Sequence, residues 1–174
     1  LEPASGQLAI VRVLEARGFS VCHADIRGIH GPSVDFLGST YGNAMMPNVI
    51  TNPPFKKAEQ FVKQALIVAH RRVAMFLRLQ FLEGAKRVAW LQGTPLEWVL
   101  PFASRVTTWP EGTEEPEYAG RGGTAAYAWF VWTIGYSGHP KIKWITARGP
   151  RPAKVRRSPS VRSEPEQPRL LPAG

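Results

Sequence analysis

Apolar positions recur along the chain in two alternating periods. From Gly6 to Arg17, Leu8, Val11, Val13 and Leu14 fall near one helical face, and Gly18 supplies a stop, so the spacing predicts a helix. "FSVCHADI" (19–26) then reads as a short buried strand with Asp25 near its end. The apolar run "NVIT" (48–51) predicts a second strand. Ala58 to Arg71 returns to helical spacing with Phe61, Val62, Ala65, Leu66 and Ala69. Val73 to Leu77 is strand-like and Gln80 to Gln92 helical. "EWVLPFA" (97–103) reads as a strand interrupted by Pro101, and "AAYAWFVWTIG" (125–135) as a long β-rich run in which Trp129 and Trp132 read as core rather than as base platforms. Strands and helices that alternate in this way indicate an α/β domain with a mostly parallel sheet.

Two stretches fall outside the alternation. Thr107 to Ala126 is polar and rich in Gly and Pro, which predicts either a flexible substrate loop or disorder. "RGPRPAKVRRSPSVRSEPEQPRLLPAG" (148–174) lacks apolar periodicity and cannot repay the entropy of ordering. One folded domain over 1–146 and a disordered basic tail over 147–174 are therefore expected.

Charge sharpens this division. The chain of 174 residues carries a formal +9, which favours a polyanionic partner such as nucleic acid. Arg148, Arg151, Lys154, Arg156, Arg157, Arg162 and Arg169 against Glu164 and Glu166 give the tail +5, leaving +4 to Thr146. The tail either grips phosphates non-specifically or is merely solvated. A single cysteine, Cys22, excludes an intramolecular disulfide and a multi-cysteine metal site; its apolar neighbours suggest a buried thiol in a reducing compartment. No apolar run reaches the roughly 18 residues that span a bilayer, and no signal peptide opens the sequence, so a soluble, cytoplasmic protein with no membrane partner is expected. "LEPASG" reads as a strand end entering a turn, so the expectation includes a first strand cut short at Leu1.

In open parallel sheets ligands sit beyond the carboxyl ends of the strands, and three short signals fall at such ends. Gly6, between a strand end and a helix, lets backbone approach a ligand closely, or simply turns the chain. Asp25, about twenty residues later, is placed to accept from both hydroxyls of a ribose, or to cap a turn. Asn52-Pro53-Pro54-Phe55 is the third. Two successive prolines make a stiff extended loop whose carbonyls escape the following helix. Asn52 adds an amide and Phe55 a flat face, which together suit a planar group bearing an NH₂. The alternative is a helix start with Asn52 as its cap.

"LEPASG", "ADI", "DFL" and "NPPF", in this order within 55 residues, resemble motifs I to IV of the S-adenosylmethionine-dependent amino-methyltransferases, especially phage- and prophage-type DNA adenine-N6 methyltransferases. The resemblance covers roughly Leu1 to Trp144. It implies a Rossmann-like class I methyltransferase fold, with a mostly parallel central sheet flanked by helices and an antiparallel strand near the C-terminal edge. It implies S-adenosylmethionine as cofactor, with Glu2, Pro3 and Gly6 at its methionine part, Asp25 at the ribose, the adjoining Ile26 also in contact with the cofactor, and Asp35 and Phe36 at the adenine. Asn52, Pro53, Pro54 and Phe55 would form the catalytic loop around the target base. The family's second motif I glycine is Leu8 here, and no separate target-recognition domain is apparent.

The implied reaction needs no metal. If the Asn52 side-chain oxygen and the Pro53 carbonyl accept from the exocyclic NH₂ of adenine, the nitrogen gains sp³ character and its lone pair is localised. A stacked base cannot reach the loop, so the nucleotide must flip out, with Phe55 as its platform. Lys56, Lys57, Arg78, Lys86 and Arg87 are the cations available to hold the DNA backbone. The same socket suits RNA or a glutamine side chain, and a non-catalytic nucleic-acid-binding module on this fold is the alternative from a different class.

Overall fold

The computed structural model describes residues 1–39, 46–106 and 125–146. The 147–174 tail, and the Thr107–Ala126 loop up to residue 124, lie outside them. The elements run α1 (Ala9–Glu15), β1 (Met46–Thr51), α2 (Ala58–Val68), β2 (Ala69–Arg78), α3 (Ala85–Gln92), β3 (Leu96–Pro101), β4 (Tyr127–Thr133) and β5 (Lys141–Ile142), with 3₁₀ turns at Phe55–Lys57 and Leu79–Leu82. The sheet order is β1-β2-β4-β3-β5. β1 pairs with β2 and β3 with β5 in parallel, while β4 is antiparallel to both β2 and β3, so four strands share one direction.

The reversed strand lies inside the sheet, two places from the β5 edge. Hydrogen-bonded on both sides, β4 buries Tyr127, Ala128, Phe130 and Trp132. Its aromatic rings interlock with β2, Phe76 lying 4.9 Å from Tyr127 in a stacked pair. The Trp132 indole is fully buried and its N–H donates to Thr94 Oγ1 at 3.0 Å, which removes the cost of enclosing a polar atom. Parallel β1 and β2 require a crossover, and α2 supplies it with Phe61, Val62, Ala65 and Val68 buried beneath the sheet.

Several boundaries differ from the sequence reading. The helix begun at Ala58 ends at Val68 rather than Arg71, because Ala69 already pairs with Met46 in the parallel ladder. The Gln80–Gln92 helix is divided by Gly84, whose φ of 99° interrupts the turn and leaves α3 to begin at Ala85. The first helix starts at Ala9 and buries Val11, whereas Val13 is exposed. "FSVCHADI" is not a continuous buried strand: His23 and Asp25 make isolated bridges, Ala24 and Asp25 are buried, and Cys22 is exposed rather than enclosed.

These bridges extend the sheet beyond β1. The Leu1 nitrogen donates to Asn48 O at 2.8 Å and Leu1 O accepts from Ile50 N at 2.9 Å, the parallel pattern. Glu2 bridges His23, and Asp25 bridges Ser33, again in parallel. The chain therefore builds outward from Glu2 to Ser33 on one side, then crosses back to lay β1 and β2 on the other. The order reverses between Glu2 and β1, which makes the carboxyl ends there a topological switch point.

Candidate functional site

Three loops leave the sheet at that switch point and enclose a cleft of about 800 Å³. Its lining includes Glu2, Pro3 and Gly6 from the first, Asp25, Ile26 and Arg27 from the second, and Asn52, Pro53, Pro54 and Phe55 from the third, with Asp35 and Phe36 closing one side. Every cofactor-binding and catalytic residue named from the sequence thus borders one space of the size that holds a small organic ligand.

Glu2 is 1% exposed. One carboxylate oxygen accepts from Ala4 N at 3.2 Å, while Oε2 is buried without an aligned partner, as is the hydroxyl of fully buried Thr51. Burial pushes the Glu2 carboxyl up to about 7, the Thr51 hydroxyl and the Ala4 amide opposing the rise. The Glu2 carboxyl thus sits in the cleft wall with the Thr51 hydroxyl beside it but not aligned to it, which leaves acceptor capacity for a cationic group.

Gly6, at φ 46°, directs its N–H onto Asp25 Oδ2 at 2.9 Å and so ties the first loop to the second. A side chain at that φ would be strained, which gives the motif glycine its local reason. Two residues on, Leu8 takes φ 62° at the N-terminus of α1, where its amide donates to Ser5 O at 2.7 Å. The departure from a second glycine is therefore accommodated by a strained backbone.

Asp25 is 5% exposed and its carboxylate is held at about 2, chiefly by Arg27 with help from backbone amides. Arg27, which sequence reasoning passed over, donates Nε to Oδ1 at 2.7 Å and Nη2 to Oδ2 at 2.9 Å, and its amide donates to Oδ1 at 3.0 Å. The signal was an arginine two residues beyond a strand-end acid. Beyond this pair, Ile26 is exposed at the mouth, Asp35 accepts from Leu37 N at 3.0 Å, and Phe36 packs on Phe61 at 5.2 Å with 2% of its surface exposed.

The Asn52 loop is not a helix cap. Neither the 3₁₀ turn nor α2 has a side-chain cap, and their N-terminal flanking residues are Pro54 and Lys57. Asn52 is exposed, and among the described residues its amide makes no hydrogen bond. The proline pair frees one carbonyl rather than two: Pro54 O accepts from Lys57 N at 2.9 Å, whereas Pro53 O has no backbone donor among the described residues. Pro54, at φ −55° and ψ 125°, is extended, which keeps Pro53 out of the turn that follows.

The five cations separate. Lys56, Arg78 and Arg87 line a second cavity of about 500 Å³, while Lys57 borders the first and Lys86 neither. Phe55 borders both cavities. Glu59 and Glu83 also line the second, but Glu59 is paired with Lys63 at 2.7 Å, and none of the three cations forms an ion pair among the described residues. The Arg87 guanidinium instead lies 5.0 Å over Phe81, with Nε buried and unpartnered. No described helix is long and apolar enough to cross a membrane, and no described cluster of three metal-ligating side chains occurs.

No protein-family model and no curated protein sequence matches the chain. Among solved structures it resembles the methyltransferase subunit of a type I restriction-modification system from Streptococcus thermophilus (TM-score 0.54, 10% identity), covering 83% of this chain and 41% of that one. It also resembles a Listeria monocytogenes protein assigned as a class I S-adenosylmethionine-dependent methyltransferase (TM-score 0.51, 10% identity), covering 84% of this chain and 58% of that one. The chain thus spans about half the length of these structures. What is shared at this identity is the fold, which is Rossmann-like and of the class I methyltransferase type.

Proposed function

We propose that the chain is the catalytic core of an S-adenosylmethionine-dependent methyltransferase that modifies the exocyclic N6 amine of adenine in DNA. The observation that carries this reading is the convergence on one cleft of the Asn52 amide and Pro53 carbonyl, unengaged among the described residues, with the acidic groups of Glu2 and Asp25. The donor set fits the cofactor: the buried Glu2 carboxyl, with acceptor capacity left, for an ammonium group, the Asp25 carboxylate for a ribose, and the Asp35–Phe36 side for an adenine. Bound there, S-adenosylmethionine supplies a methyl group activated by a positive sulfur.

The chain's own residues have the remaining work. Asn52 Oδ1 and Pro53 O accept from the two N–H groups of the adenine amine, which pulls its lone pair out of conjugation and aims it into the cleft. Phe55, 42% exposed at the boundary of the two cavities, offers the extruded base a stacking surface. Lys56, Arg78 and Arg87, which form no ion pair among the described residues, attract the phosphates that flank it. Resemblance to a restriction-modification methyltransferase subunit supports DNA over RNA or protein as the substrate.

Incubation of the protein with labelled S-adenosylmethionine and unmethylated genomic DNA, followed by nucleoside analysis, tests the proposal. Label in N6-methyladenine is expected. Label in cytosine, or transfer only to RNA or protein, would refute the substrate.

A further inference from the structure

The Asp25 carboxylate has about four acceptor positions, two on each oxygen, and all are filled. Two are filled by backbone: Gly6 N on Oδ2 at 2.9 Å and Arg27 N on Oδ1 at 3.0 Å. The other two are filled by one side chain, Arg27 Nε on Oδ1 at 2.7 Å and Nη2 on Oδ2 at 2.9 Å. The Asp25 side chain is 6% exposed, that of Arg27 39%, and both border the large cleft. The backbone bonds are therefore fixed by the turns, whereas the Arg27 side chain reaches the acid from a partly exposed position.

We infer that Arg27 is a replaceable cap on Asp25, displaced by a ligand that offers two adjacent hydroxyls, and that it makes the cleft selective for ribonucleosides. This rests on the methyl-transfer reading. Departure of the guanidinium opens one position on each oxygen, side by side. A vicinal diol refills both. A ligand with a single hydroxyl leaves one acceptor of a buried carboxylate unsatisfied, and a ligand with none has no means of displacing the arginine. The selection has a use here, since the proposed substrate is a deoxyadenosine and the cofactor an adenosine. The same purine is thereby refused at the cofactor end unless it carries a ribose.

Calorimetric titration with S-adenosylhomocysteine and its 2′,3′-dideoxy analogue tests the cap on wild type and Arg27→Ala. Removing a competitor for the diol site should tighten S-adenosylhomocysteine about fivefold or more and leave the dideoxy analogue within about twofold. Arg27→Met, which keeps the stem without the donors, replaces Arg27→Ala if the latter lowers the melting temperature, and the same shift is expected. Equal changes for both ligands, or weaker binding of the diol ligand, would overturn the cap while leaving methyl transfer standing. Absence of binding by wild type and variants alike would overturn both.

Discussion

The Arg78 guanidinium lies 4.5 Å from the centroid of the Phe55 ring, on the wall shared by the two cavities. Tyr127 supports the same ring from 6.0 Å. In the proposed reaction, a flipped base stacking on Phe55 would meet a ring already packed against Tyr127 and neighboured by a phosphate-seeking cation.

Replacing Phe55 by Ala is expected to weaken DNA binding by about 1–3 kcal/mol, the range for loss of one base–aromatic stack. Arg78→Gln and Arg87→Gln should each reduce the slope of log affinity against log salt by about one. Lys86→Gln, outside both cavities, should change it less. Fluorescence anisotropy of a labelled oligonucleotide across a salt series measures all four, and a Lys86 effect equal to the others would reject the groove.

Asn52→Ala should lower the rate of methyl transfer by about 100-fold or more, in line with the loss of one preorganised transition-state contact. Because the Asn52 side chain is exposed and caps no helix, stability should stay within about 0.5 kcal/mol of wild type. Cofactor affinity measured by calorimetry should also hold. A variant with undiminished turnover would remove Asn52 from catalysis.

Glu2 gives stability a pH dependence of defined sign. Its carboxyl sits near 7 in the folded protein against an ordinary 4.5, so the folded state holds the proton more tightly than the unfolded one. The contribution is complete below about pH 4.5, declines as pH rises toward 7 and is flat above, to a limit of about 3 kcal/mol. Asp25 acts in the opposite sense: held at about 2 against an ordinary 3.8, it contributes above that value and is lost as pH falls. Urea unfolding at pH 5 and pH 8 should show the Glu2 decline in wild type and its absence in Glu2→Gln. An identical decline in both proteins would assign it to another group.

Leu8→Gly tests the backbone at the departed motif glycine. Relief of a left-handed φ stabilises by about 1–2 kcal/mol, and the greater freedom of unfolded glycine returns about 0.5–1 kcal/mol. A small net gain, between about 0 and 1.5 kcal/mol, is expected from urea midpoints. A lower midpoint would show that packing by the half-buried Leu8 side chain outweighs the strain.

Much of the architecture was legible because its causes are local. Helical spacing located α2, and the apolar runs located β1, β2, β3 and β4, since burial of one face or both imposes those periods on neighbouring residues. Proline acts within two residues of itself, so Asn52-Pro53-Pro54-Phe55 could be recognised as a rigid loop. What it could not reveal is which carbonyl stays free, because Pro54 O is taken by Lys57 N only once the 3₁₀ turn forms.

The amino-acid order by itself thus determined the alternation of elements and the positions of the strand-end motifs, all consequences of covalent neighbours. Only the tertiary structure decided that β4 enters between β2 and β3, that Ala69 leaves its helix to pair with Met46, and that Cys22 faces outward. It alone separated Lys86 from Lys56, Arg78 and Arg87, and set Arg27 across Asp25. Those outcomes depend on hydrogen bonds and desolvation between segments distant in the chain, and on the direction in which each turn releases its side chains, neither of which a linear pattern contains.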